Sequence, residues 1–278
     1  MKRVLVIVVA YNGMQWLQRC LASVVGADLY VWDNDSTDGS ADFVAGHYPQ
    51  AKLVRSAENL GFSRPNNLGM KYALEHGYDY VYLLNQDAWL EEGALEKLVA
   101  AAQAHPEFAV LSPLQMKEGF EGLDRQFEKI LHFSQNDAVS EPIQVKRVMA
   151  AHWLVPVQAI REVGLFNEDL FPHWGQDDDW CNRARHRGLR IGVVPSARAV
   201  HDRAYRKEGK EKLVKRNYYT GSLVRLANPL QVLPLQMTYV LLFTFVKAVK
   251  YSSFLPFKYL RRIIREWPQV KAARMRNA

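Results

Sequence analysis

The chain has 278 residues, 49% hydrophobic and 23% charged, ordinary figures for a folded globular protein that can bury a large core. Its two cysteines, Cys20 and Cys181, exclude a disulfide framework and offer no metal-ligand spacing, which fits a reducing compartment. The net charge of +7 is uneven: 17 of the 36 Lys and Arg, but only 3 of the 29 Asp and Glu, lie from Arg203 onward, so a tail of +14 follows a body of −7.

Lys2-Arg3 ahead of Val4-Leu5-Val6-Ile7-Val8-Val9 imitates a signal peptide. The apolar run is short, lacks a small-residue cleavage site and leads into Tyr11-Asn12-Gly13, so a first buried strand over 3–9 is expected. An amphipathic helix over 14–25 follows, then a strand over 29–32 that ends in Asp33-Asn34-Asp35-Ser36-Thr37-Asp38-Gly39-Ser40. Next come a helix to His47, a strand over 52–55, the stretch Asn59-Leu60-Gly61-Phe62-Ser63 and a helix to His76. Tyr80-Val81-Tyr82-Leu83-Leu84 is a buried strand that stops at Asn85-Gln86-Asp87, and a helix over 92–105 and a strand over 108–112 complete the rhythm. Repeated βα units of this size predict an α/β fold with a doubly wound, mostly parallel sheet and helices on both faces. No G-x-G-x-x-G follows the first strand, which counts against a dinucleotide-binding dehydrogenase.

Residues 115–147 lose the pattern and read as an insertion or acceptor-side loop. It returns through Ala151-His152-Trp153-Leu154-Val155 and a short helix to Val163. A run from Gly164 leads to Trp174-Gly175-Gln176-Asp177-Asp178-Asp179-Trp180 and an arginine-rich helix to His186, closed by Gly188. A strand over 191–194 and a short loop then reach His201.

Three stations carry chemistry. Asp87, a carboxylate at the end of a buried strand, lies where ligands of open α/β sheets bind and suits Mg2+ or Mn2+ carried on phosphate oxygens; its structural alternative is a helix cap. Residues 33–40 supply turn and capping groups, yet the surplus of Asp also suits a nucleobase N–H or ribose hydroxyls. Three adjacent carboxylates at 177–179 repel one another, which raises at least one pKa and favours a base or a cation site. Trp174 and Trp180 beside them offer flat faces for sugar rings, or a place in the core.

Taken together, these stations resemble the inverting family-two glycosyltransferases of the GT-A fold, of the rhamnosyltransferase-like type in bacterial surface-polysaccharide synthesis. The matching pieces are Val9-Ala10-Tyr11-Asn12, the 33–40 segment, Asn59-Leu60-Gly61-Phe62 with Asn66-Asn67, Leu84-Asn85-Gln86-Asp87-Ala88, the 177–179 cluster and Val200-His201. The resemblance implies that Tyr11 and Asp33 hold the nucleotide base and that Asn59 and Asn67 shape the donor pocket, beside Ala10, Asn12, Asn85 and Gln86. It implies a divalent cation, Mg2+ or Mn2+, on Asp87 with His201 assisting, Asp177 as general base, and Asp179 orienting the acceptor. Gln176, Trp174, His152 and Trp153 complete the expected acceptor side. The sequence departs from the family pattern at Asn85, where an acid is usual, at Gln176, where Glu often precedes the base, and at Arg64-Pro65, which replaces small residues and is expected to narrow or stiffen the donor pocket. The donor implied is dTDP-rhamnose or a UDP-hexose, and the acceptor a glycan or lipid-linked glycan. A nucleotidyltransferase would show a Gly-rich loop with Arg and Lys in place of Ala10-Tyr11-Asn12-Gly13-Met14. A non-catalytic sugar-binding scaffold stays compatible with Asn85 and Gln176.

Residues 1–203 are thus expected to form the catalytic domain and 204–278 a basic, aromatic helical tail. The apolar stretch 230–246 is interrupted by Gln231, Pro234 and Gln236 and closed by Lys247 and Lys250, which argues against a membrane span. Lys258, Arg261, Arg262 and Arg265 beside Phe257, Tyr259 and Trp267 read as interfacial anchors on an anionic membrane surface, at the cytoplasmic face. Cover for the catalytic domain or a homodimer contact is the alternative. Nucleic acid is not an expected partner, because the acidic body would repel its phosphates.

Overall fold

The computed structural model describes residues 2–131, 142–202 and 209–277; part of the irregular stretch 115–147 and the start of the basic loop after residue 202 lie outside them. In chain order the elements are β1 (Val4–Ala10), α1 (Met14–Ala22), β2 (Asp28–Asp33), α2 (Ser40–His47), β3 (Lys52–Arg55), α3 (Ser63–Glu75), β4 (Tyr80–Asn85), β5 (Ala88–Leu90), α4 (Ala94–Ala104) and β6 (Phe108–Met116). They continue as α5 (Arg125–Leu131), β7 (Ile143–Val145), β8 (His152–Pro156), α6 (Val157–Val163), α7 (Gln176–His186), β9 (Arg190–His201), α8 (Lys210–Val214), α9 (Gly221–Ala227), α10 (Leu233–Tyr251), α11 (Leu255–Arg265) and α12 (Trp267–Asn277).

The strands form one nine-stranded sheet in the order β3-β2-β1-β4-β8-β6-β9-β5, with β7 also paired to β9. β3, β2, β1 and β4 are parallel, as are β6 and β9, whereas β8, β5 and β7 run against their neighbours. The period-2 alternation of side chains explains the two-sided core. Leu5 and Ile7 of β1 and Val81 and Leu83 of β4 join one cluster with Met70 and Ala73 of α3. Val4, Val6 and Val8, with Tyr80, Tyr82 and Leu84, join the other with Leu17 and Leu21 of α1 and Leu98 of α4. Each large apolar side chain fully buried this way stabilises the fold by roughly 1.5–3 kcal/mol.

Two strands outrun their expected ends. β6 continues past 112 because Leu114 and Met116 bury on the sheet, and β9 runs unbroken to His201 instead of stopping near 194. A register shift between Pro113 and Leu114 lets β9 pass Pro195 while the pairing resumes at Leu114↔Arg198. His201 therefore ends a strand instead of following a loop.

The tail is helical, as expected. α8 and α9 are continuous through a π-helical stretch, Lys215–Thr220. Its core of Tyr218, Leu223, Val240, Tyr259, Ile263 and Val270 also takes in Leu170 and Phe171 from the body. Arg274 donates to the carbonyls of Leu226 (3.1 Å), Asn228 (2.5 Å) and Gln231 (2.5 Å), and Asn277 donates to Asp179 of α7 at 3.2 Å. Among the described residues, no helix is long and apolar enough to cross a membrane.

Candidate functional site

The parallel strands β1, β2 and β4 end side by side, with Ala10 paired to Asp33 and Val9 to Asn85, so the polar segments after them share one edge of the sheet. Tyr11 and Gln86 lock two of these segments together. The Tyr11 backbone N–H donates to Gln86 Oε1 at 2.7 Å, and Gln86 Nε2 donates to the Tyr11 carbonyl at 3.1 Å. Gly13 leaves room for this pair, since a Cβ there would meet Gln86 Oε1 at 2.1 Å.

The 33–40 segment divides its acids between structure and ligand. Asp38 accepts from the Met14 backbone N–H at 2.9 Å and so caps α1 from a distance, while Asn12 Oδ1 accepts from Thr37 N–H at 2.8 Å. Asp33 is only 4% exposed; its Oδ2 accepts from Ser36 N–H at 3.1 Å, but its Oδ1 is buried without a partner. An orphaned carboxylate oxygen at a strand end is the kind of acceptor a base N–H or ribose hydroxyl would satisfy. Asn34, absent from the expected site, spans β2 and the next turn. Its amide donates to Asn59 Oδ1 (3.0 Å) and the Gly61 carbonyl (2.8 Å), and its Oδ1 accepts from Leu60 N–H (2.8 Å). That turn docks on a later loop through Phe62 N–H, which donates to the Pro172 carbonyl at 2.8 Å.

Just past the end of β4, Asp87 meets His201, Nε2 to Oδ1 at 3.3 Å, because β5 and β9 pair Ala88 with His201. Burial disfavours charge on Asp87, but the hydrogen bond and charge of His201 outweigh it and hold the carboxyl below its usual range. Trp16 Nε1 donates to Asp202 at 2.8 Å, and Asp202 N–H donates to the Asp87 carbonyl at 2.8 Å, fixing this corner to α1. Among the described residues no three metal-ligating groups converge. A hard cation that keeps waters and substrate phosphate oxygens needs only one or two protein ligands, so the carboxylate–imidazole pair fits Mg2+ or Mn2+ bound together with a diphosphate.

Tyr11, Asn34, Asn59, Asn85, Gln86 and Asp87 line a cleft of about 1180 Å³, with His173 and Trp174 facing them. The tail closes it: Lys212, Lys215, Lys258, Arg262 and Arg265 also line the cleft. Burial, and then the charges of Lys215 and Lys212, push the His173 imidazole below its usual pKa. Three of the expected membrane anchors, Lys258, Arg262 and Arg265, thus face the cleft, and Tyr259 is buried against Tyr219, because α11 turns its basic face inward.

Asp177 and Asp178 lie at the start of α7 and border a second cavity of about 710 Å³, beside Arg147. Arg147 bonds Asp178 at 2.6 Å. Burial, and then the neighbouring Asp178, push the Asp177 carboxyl up to about 7. Gly175 precedes this helix with φ +88°, and a Cβ there would meet Thr220 at 2.6 Å, so α7 starts hard against the tail.

Several expected site residues belong to the framework instead. Asn67 faces away from the cleft and ties α3 to the following loop, donating to the Phe166 carbonyl (2.9 Å) and Glu168 (2.7 Å). Arg64 pairs weakly with Glu168 at 3.8 Å and does not narrow the cleft. His152 is fully buried between the Tyr82 hydroxyl (2.9 Å) and the Val200 carbonyl (3.0 Å), and Trp153 packs on Trp180 and Phe166, so neither reaches an acceptor. Asp179 is 2% exposed and engaged by Arg183 (2.9 Å) and Asn277, which removes it from acceptor contact. Gln176 is buried with its Oε1 unpartnered. Ala10 contributes its carbonyl, which accepts from Asn34 N–H at 2.8 Å. The two tryptophans split, Trp174 to the cleft and Trp180 to the core.

Residues 5–164 match the family described as Glycosyl transferase family 2. The chain is 28% identical over 242 residues to a pre-mycofactocin glycosyltransferase of Mycobacterium tuberculosis, an alignment covering 81% of this chain and 47% of that protein. It is 25% identical over 234 residues to an N-acetylglucosaminyl-diphospho-decaprenol L-rhamnosyltransferase of the same organism, covering 72% of this chain and 76% of that protein. Among solved structures, Staphylococcus aureus TarS residues 1–349 in complex with UDP superposes with a TM-score of 0.57 at 15% identity, covering 84% of this chain and 68% of that one. The last likeness is one of fold.

Proposed function

Because the chain belongs to glycosyl transferase family 2, we propose that it transfers a sugar, with inversion, from a nucleoside-diphosphate donor to a hydroxyl of a glycan or lipid-linked glycan. The observation that carries this reading is the row of strand ends beside the cleft, where the orphaned Asp33 Oδ1 and the Asp87–His201 pair stand and Asp87 lines the cleft. A similar rhamnosyltransferase whose name includes a diphospho-decaprenol acceptor supports rhamnose as donor sugar and a lipid-linked acceptor.

Asp33 and Tyr11 hold the nucleoside, and the Asn34–Asn59 pair keeps that side of the cleft in place. Asp87 and His201 would hold Mg2+ or Mn2+, which supplies neutralisation of the charge that develops on the departing diphosphate. Asp177, poised near neutrality, takes the proton of the acceptor hydroxyl. The hydroxyl oxygen then bonds to the anomeric carbon from the face opposite the diphosphate, and the bond from that carbon to the diphosphate oxygen breaks. Trp174, which lines the cleft, offers a ring face to a sugar.

The exposed apolar face of α10 supports peripheral attachment to the cytoplasmic face of a membrane, where a lipid-linked acceptor would be met. The test of the activity is nucleotide-sugar binding by calorimetry, with and without Mn2+, in the wild type and in Asp87→Ala. The wild type should bind more tightly with Mn2+, and the variant should lose that gain. Equal metal dependence in both would refute the assignment of Asp87.

A further inference from the structure

The roles proposed above for nucleoside binding and proton transfer leave the cationic wall of the cleft unused. Five cations, Lys212, Lys215, Lys258, Arg262 and Arg265, face two carboxylates, Asp87 and Glu211, across one space. Glu211 bridges to Lys258 at 3.1 Å, joining α8 to α11 so that the wall is one surface. Arg262 is held by Glu266 at 2.8 Å and lies over the Tyr219 ring. Lys215 and Arg265 form no ion pair among the described residues. Lys215 and Arg265 add positive charge beside Lys212 with no acid of their own among the described residues, and a bound anion would relieve the repulsion.

The space is larger than one small ligand needs. At about 1180 Å³ it exceeds the range of roughly 300–1,000 Å³ usual for a pocket holding a single small molecule. In the reading above, the donor diphosphate is held at Asp87 and His201, on the sheet side. The wall lines the same cleft as Trp174: Lys212 Nζ is 5.7 Å from the Trp174 ring, and Asp177 follows three residues later in the chain. A sugar resting on Trp174 would therefore lie beside Lys212, with an anionic substituent within reach of the wall. On the other face of α11, Leu260, Ile263 and Ile264 line an apolar groove of about 240 Å³ with Met237 and Leu241 of α10.

We propose that Lys212, Lys215, Lys258, Arg262 and Arg265 bind the diphosphate of a lipid-linked acceptor, separately from the donor diphosphate at Asp87. This deepens, and rests on, the glycosyltransferase reading above. A wall of this kind selects acceptors by linkage: a sugar on a prenyl diphosphate is bound, and the same sugar free or on an uncharged lipid is not.

The test uses the full chain with Lys215→Ala and Arg265→Ala combined, a half-buried and an exposed side chain whose loss breaks no ion pair among the described residues. Farnesyl diphosphate is titrated into protein saturated with UDP and Mn2+, and UDP is titrated separately. The double variant should bind farnesyl diphosphate about tenfold or more weakly, since each charge-assisted contact is worth about a decade in affinity. Its affinity for UDP should change less than about twofold, and farnesol should bind neither protein. Lys215→Arg with Arg265→Lys, which keeps the charges, should restore most of the affinity. A parallel loss of UDP affinity would assign the wall to the donor, and unchanged farnesyl diphosphate binding would leave it without this role; either result overturns the proposal. Failure of the wild type to bind any nucleotide would instead remove the glycosyltransferase reading on which it rests.

Discussion

At the scale of single residues, Asp177 shows how a chemical requirement opposes stability. Its folded pKa of about 7 lies above the ordinary 3.8, so the fold favours the proton. The stabilisation that goes with protonation is complete below the unfolded value and is lost as pH rises through about 7. The reactive form, in contrast, exists only above that value. Turnover should fall as pH drops through about 7, and Asp177→Asn should remove this acid limb while lowering turnover by about 10²-fold or more. Thermal melts at pH 8 should find Asp177→Asn no less stable than the wild type, because the asparagine carries no buried charge. Near-normal turnover, or a clear fall in melting temperature, would show that the carboxylate has another purpose. For Asp33 the loss should be confined to binding: Asp33→Ala should weaken UDP affinity, read by calorimetry, and leave the fold intact, since only Oδ2 has a protein partner.

Among the elements, the turn at 59–63 makes two separate loops into one cleft. Gly61 adopts φ +79°, and a Cβ there would come within 2.7 Å of the Pro172 carbonyl that holds Phe62. Gly61→Ala should cost about 1–3 kcal/mol and weaken nucleotide binding with it. Gly77→Ala is the control, with φ +69° but nothing within 4 Å of a new Cβ. A larger fall in melting temperature for Gly61→Ala than for Gly77→Ala measures the docking, and equal falls would show that only backbone strain was at stake. The strands and their helices were legible in the sequence because their apolar periods are local, as in β4, where alternate residues feed opposite cores. Asp87 and Asp33 were legible because a polar residue ending an apolar run must lie at the sheet edge. His152, Trp153 and Asp179 misled, since a buried polar or aromatic residue next to a motif looks the same in sequence whether it faces a ligand or the core. Among their partners, Tyr82, Trp180 and Asn277 lie 70, 27 and 98 residues away. The basic tail was visible as charge, but the direction in which α11 turns that charge depends on Tyr259 and Ile263 packing into a core formed with α9 and α10.

For the whole molecule, the inward turn of α11 changes how a membrane would be met. On α10, Val240 and Thr244 are buried, while Leu235, Leu242, Phe245 and Val249 on the opposite side are at least 61% exposed. With Lys258, Arg262 and Arg265 in the cleft, the salt-sensitive part of attachment falls to Lys247, Lys250 and Arg261, at about 1 kcal/mol each. The protein should sediment with anionic liposomes at low salt and less so at high salt. Leu242→Glu with Phe245→Glu should stay in the supernatant while retaining nucleotide binding. A wild type that remains in the supernatant at low salt would rule out the attachment. Removing everything after Asn228 is a poorer test, because α12 and α11 complete the core that Tyr218, Leu223 and Phe171 share.

The hydrogen bond from Asn277 to Asp179 also has a consequence for biosynthesis. Domains assemble in the order in which they leave the ribosome. Strands β1 to β4 can pair while the rest of the chain is still being made. α7, however, buries Asp179 against a residue synthesised 98 positions later, and starts against Thr220 of the tail. The helix that presents Asp177 is thus set in place only once the tail has been made, so a nascent chain that already binds nucleotide would not yet spend it.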